Sequence, residues 1–217
     1  MNQLMSKKWL KKLLELKVYL LATSNPYFLI NGFFLEQNCV ILRHMEFEEL
    51  IKKRHCVRRF DPKKEVSNEQ IEKLLKAATL APSEGNIQPW IFVVVKKQEA
   101  KQKLTDAIFG QTAIEKASVI IITCINLNIT AEKYSERGIS LYSIQSTAAA
   151  TEHIFLALTD MGLSACWIGA FDEDKVKEIL DLKPNLRPVV IMPVGYSAEE
   201  AFLTDRKDIS KISKIIE

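Results

Sequence analysis

The sequence predicts an α+β fold, a three-layer sandwich with helices on both faces of a mixed sheet. Three observations carry this expectation. Two helix-like segments precede the first strand-like one, strands and helices alternate after it, and the chain closes on a tail without strand character. Taken alone, that order of elements also admits an α/β arrangement.

The elements follow in turn. Phe47, Leu50 and Ile51 fall at helical spacing and predict a short helix that delivers Arg54 to the surface, where the chain turns extended. The next helix is better marked: Ser67 is its N-cap, Gln70 closes a capping box, Ile71, Leu74, Leu75 and Ala78 make its apolar stripe, and Pro82 stops it. A run of turn formers then leads into the apolar strand from Ile91 to Val95. A helix around Glu99 to Phe109 precedes Val119 to Cys124, a short β-branched run that predicts a buried strand. Asn126 to Gly138 is polar and reads as a long irregular loop of the functional or mobile kind. Ile139 to Met161 is the longest helix, where Ala148, Ala149, Ala150 and Ala157 allow close approach of another helix and Gly162 fits just past the end. Leu163 to Ile168 reads as a strand, Asp172 caps a helix through Leu180, and Arg187 to Val194 is the final strand before Gly195.

Composition narrows the function. A chain of 217 residues, 47% hydrophobic and 26% charged, fits one soluble globular domain. The net charge of +3 is misleading, because residues 1–44 hold six Lys/Arg against two Glu, while the remainder holds 24 basic and 25 acidic residues. No global basic field is present, so no nucleic-acid partner is expected. Cys39, Cys56, Cys124 and Cys166 are scattered without Cys-x-x-Cys pairs, which argues against a zinc site or disulfide framework and points to a reducing, cytoplasmic setting. His44, His55 and His153 lack metal-ligand spacing, and no hydrolytic triad, P-loop or Gly-x-Gly-x-x-Gly pattern occurs.

The chain divides at residue 44. Lys7, Lys8, Lys11, Lys12 and Lys17 precede Val18 to Leu35, 18 residues without a formal charge. Asn25, Pro26, Asn31 and Gly32 interrupt that stretch and no Ala-x-Ala cleavage pattern follows, so a membrane anchor is not expected. Residues 1–44 read either as sequence ahead of a true start at Met45 or as a disordered or loosely docked extension. Residues 45–217 read as the functional domain.

Two stretches concentrate the chemistry. Arg54-His55-Cys56-Val57-Arg58-Arg59-Phe60-Asp61 packs three arginines into six residues, and Arg54 and Arg58 stand on either side of extended residues, so both side chains can grip a phosphate from one face. Ala81-Pro82-Ser83-Glu84-Gly85-Asn86-Ile87-Gln88-Pro89-Trp90 brings hydroxyl and amide groups to a ligand edge, with Gly85 permitting close backbone approach.

These stretches resemble the nitroreductase family of FMN-dependent oxidoreductases. That family shows Arg-x-Ser-x-Arg-x-Phe, Ala-Pro-Ser-x-x-Asn-x-Gln-Pro-Trp and Gly-Leu-x-x-x-Trp-Ile-Gly-x-Phe segments and a late arginine, matched here by Arg54 to Phe60, Ala81 to Trp90, Gly162 to Phe171, and Arg206. The resemblance covers roughly Glu46 to the C-terminus and implies the same sandwich with a mainly antiparallel sheet. It implies FMN as cofactor, NAD(P)H as transient electron donor, a small conjugated acceptor such as a nitroaromatic or quinone, and a homodimer with flavins at the interface. It assigns Arg54, Arg58 and Arg206 to the phosphate, His55 to the pyrimidine side of the ring, Pro82, Ser83 and Asn86 to the flavin of the partner, and the backbone N–H groups of Gly169 and Ala170 to its reactive nitrogen. Cys56 replaces the family serine, exchanging a hydroxyl donor for a weaker thiol. Thr204 stands where some members carry a second basic residue. No dedicated catalytic side chain and no metal is implied. The same fold also hosts reductive dehalogenation and flavin fragmentation; a flavin-binding module without turnover or a membrane-tethered protein using residues 1–44 completes the alternatives.

Overall fold

The computed structural model of the chain describes residues 46–111, 114–201 and 204–217. The expectations for residues 1–44 lie outside the described residues; the described residues from 46 to 217 belong to one compact unit.

The strand β2, Val119–Asn126, explains the layers. Every residue from Val119 to Ile125 is buried, so both faces of the strand are covered. Because successive side chains alternate across a strand, Val119 and Ile121 join one apolar cluster, and Ile120, Ile122 and Cys124 join another. The first cluster includes Ile71, Leu74 and Ala78 of the helix α2, Asn68–Ala78, and Ala150, Ile154, Phe155 and Leu158 of the helix α5, Ser143–Asp160. The second includes Leu104 and Ala107 of α3, Gln98–Ala107, and Val176 of α6, Glu173–Ile179. Helices therefore cover both faces, as the sequence predicts. Burying one such Ile side chain contributes about 1.5–3 kcal/mol, which is why an uninterrupted β-branched run marks the middle of the sheet.

The sheet runs β1-β2-β4-β3, with β1 Trp90–Val95, β3 Ser164–Ala165 and β4 Leu186–Gly195. Its ladders are all antiparallel. The parallel component of the expected mixed sheet reduces, among the described residues, to one bridge between Cys56 and Ala165. The β2–β4 register shifts between Thr123 and Cys124, where β4 supplies Pro188, a residue with no N–H for the ladder.

Local signals hold where the physics is local. Ser67 accepts from the Gln70 N–H and the Gln70 side chain answers the Ser67 N–H, the capping box expected for α2. Asp172 caps α6 by accepting from Lys175 N, and Gly162 takes φ +70 just past α5. The short helix before Arg54 is α1, Phe47–Lys53.

Two expectations are corrected. Asn126 to Gly138 is no irregular loop: Leu127–Arg137 forms the helix α4, with the Asn126 side chain accepting from Asn128 N at 3.2 Å. The helix escapes a periodicity reading because it buries only Thr130 among its described residues and therefore shows no apolar stripe. It breaks at Ser135 (φ 49, ψ −142) and passes through a π-helical turn, Gly138–Tyr142, into α5. Gly138 is required there, since a Cβ would stand 2.8 Å from the Thr130 carbonyl oxygen. The strand expected from Leu163 to Ile168 shrinks to β3 and a single bridge between Ile168 and Ile191.

Candidate functional site

The segment from Arg54 to Asp61 is an extended strap sewn to distant parts of the chain. Val57 and Phe60 point inward and are buried with Ala117, which turns Cys56, Arg58 and Arg59 outward. On one side Val57 N donates to Ala165 O at 2.9 Å. On the other, Asp61 N donates to Tyr196 O and Ala198 N to Arg59 O, both at 2.9 Å. The Glu199 carboxylate completes the clamp by accepting from Arg58 N at 2.6 Å and Arg59 N at 3.3 Å while pairing with Arg59 Nε at 3.3 Å. The arginine-rich strap is thus held with its cationic heads free of the core.

Within the strap, the surroundings of Cys56 set the electrostatics. Cys166 hydrogen-bonds its sulfur, the Trp167 backbone N–H donates to it, and Arg54 lies beside it; together they overcome partial burial and hold the Cys56 thiol at about 5, well below the usual thiol range. Arg54 Nε lies 4.0 Å from Glu152 Oε1 on α5. Burial pushes the Glu152 carboxyl above its ordinary value, Arg54 offsets part of that, and Cys56 adds to it. His55 Nδ1 sits 2.8 Å from Lys53 O, which can only accept, so Nδ1 carries the proton. That leaves His55 Nε2 buried with no partner among the described residues.

Next to Cys56 the chain from Trp167 to Phe171 forms a braced turn. Ile168 and Ile191 exchange N–H···O bonds of 3.0 Å, Gln111 Nε2 donates to Ala170 O at 3.3 Å, and Asp172 N donates to Ala107 O at 2.8 Å. Trp167 stacks on Phe155, with centroids 5.8 Å apart and planes at 25°. Between these anchors Gly169 and Ala170 are exposed, and neither N–H has an acceptor among the described residues. A Cβ on Gly169 would meet only Trp167 Nε1, at 3.9 Å, so the backbone lies open on that side.

The second segment folds on itself. Asn86 N donates to Ser83 O at 3.1 Å and Gln88 N to Ser83 Oγ at 2.9 Å, closing a 3-10 turn at Glu84–Asn86. Gly85, Asn86 and Gln88 all take positive φ, at 47, 56 and 50. Two of those three are not glycine, and such backbone strain concentrates at functional turns. Helices hold the turn from outside: Ser146 Oγ of α5 donates to the Glu84 carboxylate, and Lys133 Nζ of α4 donates to Gly85 O at 3.2 Å. Pro82 and Asn86 remain exposed.

The structure sets Cys56, with Arg54 beside it, against the segment that leads into the Gly169–Ala170 turn, through its bridge to Ala165. It does not bring Pro82, Ser83 and Asn86 into contact with them. The strap meets α5 at Glu152 and the turn meets it at Ser146, six positions apart, or about 9 Å along the axis and about 120° around it. Arg206 is exposed, and its Nη1 donates to Thr204 O at 2.8 Å and Thr204 Oγ1 at 2.6 Å. Sequence reasoning missed Glu199, Glu152 and Cys166, which reach the strap from remote positions and carry no local signal, and Lys133, hidden in a stretch read as loop.

Comparison with known proteins identifies the family to which this fold belongs. The Nitroreductase family description matches residues 51–196. An Archaeoglobus fulgidus protein whose name couples NADH dehydrogenase with NAD(P)H nitroreductase is 33% identical over 157 residues, covering 70% of this chain and 86% of that protein. The oxygen-insensitive NADPH nitroreductase of Helicobacter pylori (strain J99) is 28% identical over 206 residues, covering 80% and 97%. The crystal structure of a nitroreductase family protein from Streptococcus pneumoniae TIGR4 superposes with a TM-score of 0.71 at 28% identity, covering 79% of this chain and all of that one (100%). A fold, a strap and a braced turn that coincide with the matched region place this chain in the nitroreductase family.

Proposed function

We propose that the chain is an NAD(P)H-dependent oxidoreductase that works through bound FMN on a small conjugated acceptor, a nitroaromatic or a quinone. When bound, FMN supplies the chemistry by taking hydride from the nicotinamide and delivering it to the acceptor. The protein's part is positioning. The observation that carries the reading is the Gly169–Ala170 turn, whose two exposed N–H groups have no acceptor among the described residues, with Cys56 of the arginine-rich strap bridged to Ala165 upstream. Such donors fit the polar edge of a flavin ring, and the open side of Gly169 lets the ring lie against the backbone. His55 Nε2, buried and without a partner among the described residues, offers a further hydrogen bond. Arg54 and Arg58 hold the phosphate, Arg206 joins them by leaving Thr204, and Cys56 stands between Arg54 and Arg58 in the strap.

Pro82, Ser83 and Asn86 serve the flavin of a second copy, which makes the enzyme a homodimer. Supporting this, the two segments leave α5 on different flanks, and Ile209, Ile212, Ile215 and Ile216 expose apolar side chains along the C-terminal tail. The free thiols Cys56, Cys124 and Cys166 support a reducing, cytoplasmic setting. Among the described residues no helix is long and apolar enough to cross a membrane. The functional unit is residues 45–217, so a protein starting at Met45 is expected to fold and bind FMN.

The test is a spectrum. Purified protein is expected to be yellow, to bleach with NADH or NADPH, and to recover its colour when an acceptor is added. Colourless protein that takes up no added FMN sinks the proposal, and yellow protein that neither nicotinamide bleaches reduces it to a flavin-binding module. Light scattering at micromolar concentration decides the dimer: a flavin-loaded monomer removes it.

A further inference from the structure

Among the described residues one formal charge is buried, that of Lys101 on α3, which is 7% exposed. Its Nζ donates to Ala117 O at 2.8 Å. An ammonium carries three N–H donors, so two remain, and among the described residues neither meets an acceptor or a carboxylate in contact. Burial pushes the Lys101 ammonium below the ordinary lysine value, and the more distant Glu65 offsets part of that. A buried cation without a counter-ion is costly. The position calls for an anion.

The surroundings leave room for one. Lys101 and Ala117 both line a cleft of about 470 Å³ between the chain from Pro62 to Val66, the first turn of α3 and the chain from Glu115 to Ser118. That size falls within the range of roughly 300–1,000 Å³ that small-molecule sites occupy. The walls are tied together: Val66 N donates to Ser118 Oγ at 2.7 Å, and Lys96 Nζ to Asn68 Oδ1 at 2.5 Å. Ser118 keeps its own O–H to give. The start of α3 adds to the field, because Lys97 at its cap makes no side-chain hydrogen bond and the N–H groups of Gln98, Glu99 and Ala100 have no acceptor among the described residues. Gln98, one turn before Lys101, lines the same cleft. Lys64, Lys96, Lys101 and Lys116 stand there against Glu65 and Glu115, four positive charges against two negative. Asp61 Oδ2, 3.9 Å from Lys64 Nζ, lowers the excess to between one and two. That excess matches one phosphate group and not a polyphosphate chain.

We propose that this cleft binds a single phosphate group, free or as the phosphomonoester end of a small metabolite, with Lys101 as its buried anchor. Lys101 gives its two remaining N–H groups to phosphate oxygens, the Ser118 hydroxyl and the first turn of α3 add neutral donors, and Lys96 and Lys116 supply charge from the rim. Arg54, Arg58 and Arg206 are not among the lining residues, so the site is separate from the one proposed for the flavin and stands whether or not flavin binds.

The experiment uses the full-length protein saturated with FMN in a phosphate-free buffer of low ionic strength, titrated calorimetrically with inorganic phosphate and, in a second arm, with glycerol 3-phosphate. One site per chain is expected. Lys101→Met should weaken it about ten- to a hundredfold, the loss of a charge-assisted bond, and Lys116→Ala severalfold; Arg54→Ala should leave it unchanged. Tighter binding of the ester identifies a phosphorylated metabolite, and equal or weaker binding identifies inorganic phosphate. Because Lys101→Met can disturb the core, the unaltered chain supplies a second readout: trace acetylation of Lys101 by acetic anhydride, mapped by mass spectrometry, should slow severalfold with phosphate while Lys133 reacts as before. Absence of saturation below about 10 mM phosphate overturns the proposal. So does binding that survives Lys101→Met, binding lost in Arg54→Ala, or Lys101 acetylation indifferent to phosphate.

Discussion

The strap from Arg54 to Asp61 and the turn from Ser83 to Gln88 are the two segments proposed to recognise the flavin, and they are built by opposite means. The strap makes no regular structure of its own; Ala165, Tyr196, Ala198 and Glu199 decide its path. The turn is closed by its own atoms, Ser83 accepting from Asn86 N and Gln88 N, and stores strain at the positive φ values of Asn86 and Gln88. A segment fixed from afar couples its geometry to the whole fold, whereas one fixed locally arrives preformed. The difference teaches where each is vulnerable.

The largest expected effect is on the strap's charge. Arg54→Ala should weaken FMN binding roughly ten- to a hundredfold, since a charge-assisted hydrogen bond contributes about 1.5–3 kcal/mol. Fluorescence titration of flavin into the variant checks it, and unchanged affinity removes Arg54 from the site. Glu199→Ala tests dependence on distant contacts. Losing the carboxylate that holds Arg58 N and Arg59 N should cost about 1.5–3 kcal/mol in urea unfolding and loosen the flavin as well. Stability lost without any change in FMN affinity would mean that the strap does not shape the site.

The turn should answer differently. Gly85 takes φ +47, and a Cβ there would stand 2.7 Å from Lys133 Nζ. Gly85→Ala is therefore expected to cost about 1–2 kcal/mol for the left-handed backbone, while the pH profile of Cys56 alkylation stays put. A shifted profile would show the two segments to be coupled within one protomer.

The smallest effect is the sharpest. Cys56→Ser should tighten FMN severalfold, about 0.5–1.5 kcal/mol, because a neutral hydroxyl donates where a thiolate only accepts and no longer competes for Arg54. The depressed Cys56 value fixes the sign with pH: wild-type binding should improve as pH falls through about 5, where the sulfur gains its proton, and the serine variant should show no such step. Loss of turnover with flavin still bound would make Cys56 a reacting group.

By itself the sequence determined what depends on neighbours along the chain. The capping box at Ser67 and Gln70, the Asp172 cap and Gly162 past α5 are hydrogen bonds and φ values settled within a few residues, and they appear where the pattern puts them. The β-branched run at β2 announced a strand covered on both faces because hydrophobic burial leaves no polar alternation. Only the tertiary structure decided the rest. It made α4 a helix with no apolar stripe to betray it, cut the strand before Trp167 to two residues, and set Cys166, Glu152 and Glu199 around Cys56 and its neighbours. It kept Arg206 on Thr204 and the Ser83 turn on another flank of α5. Those outcomes are pairings between residues far apart in the chain, whose energy exists only once the core has brought them together, and no local pattern of side chains encodes the meeting.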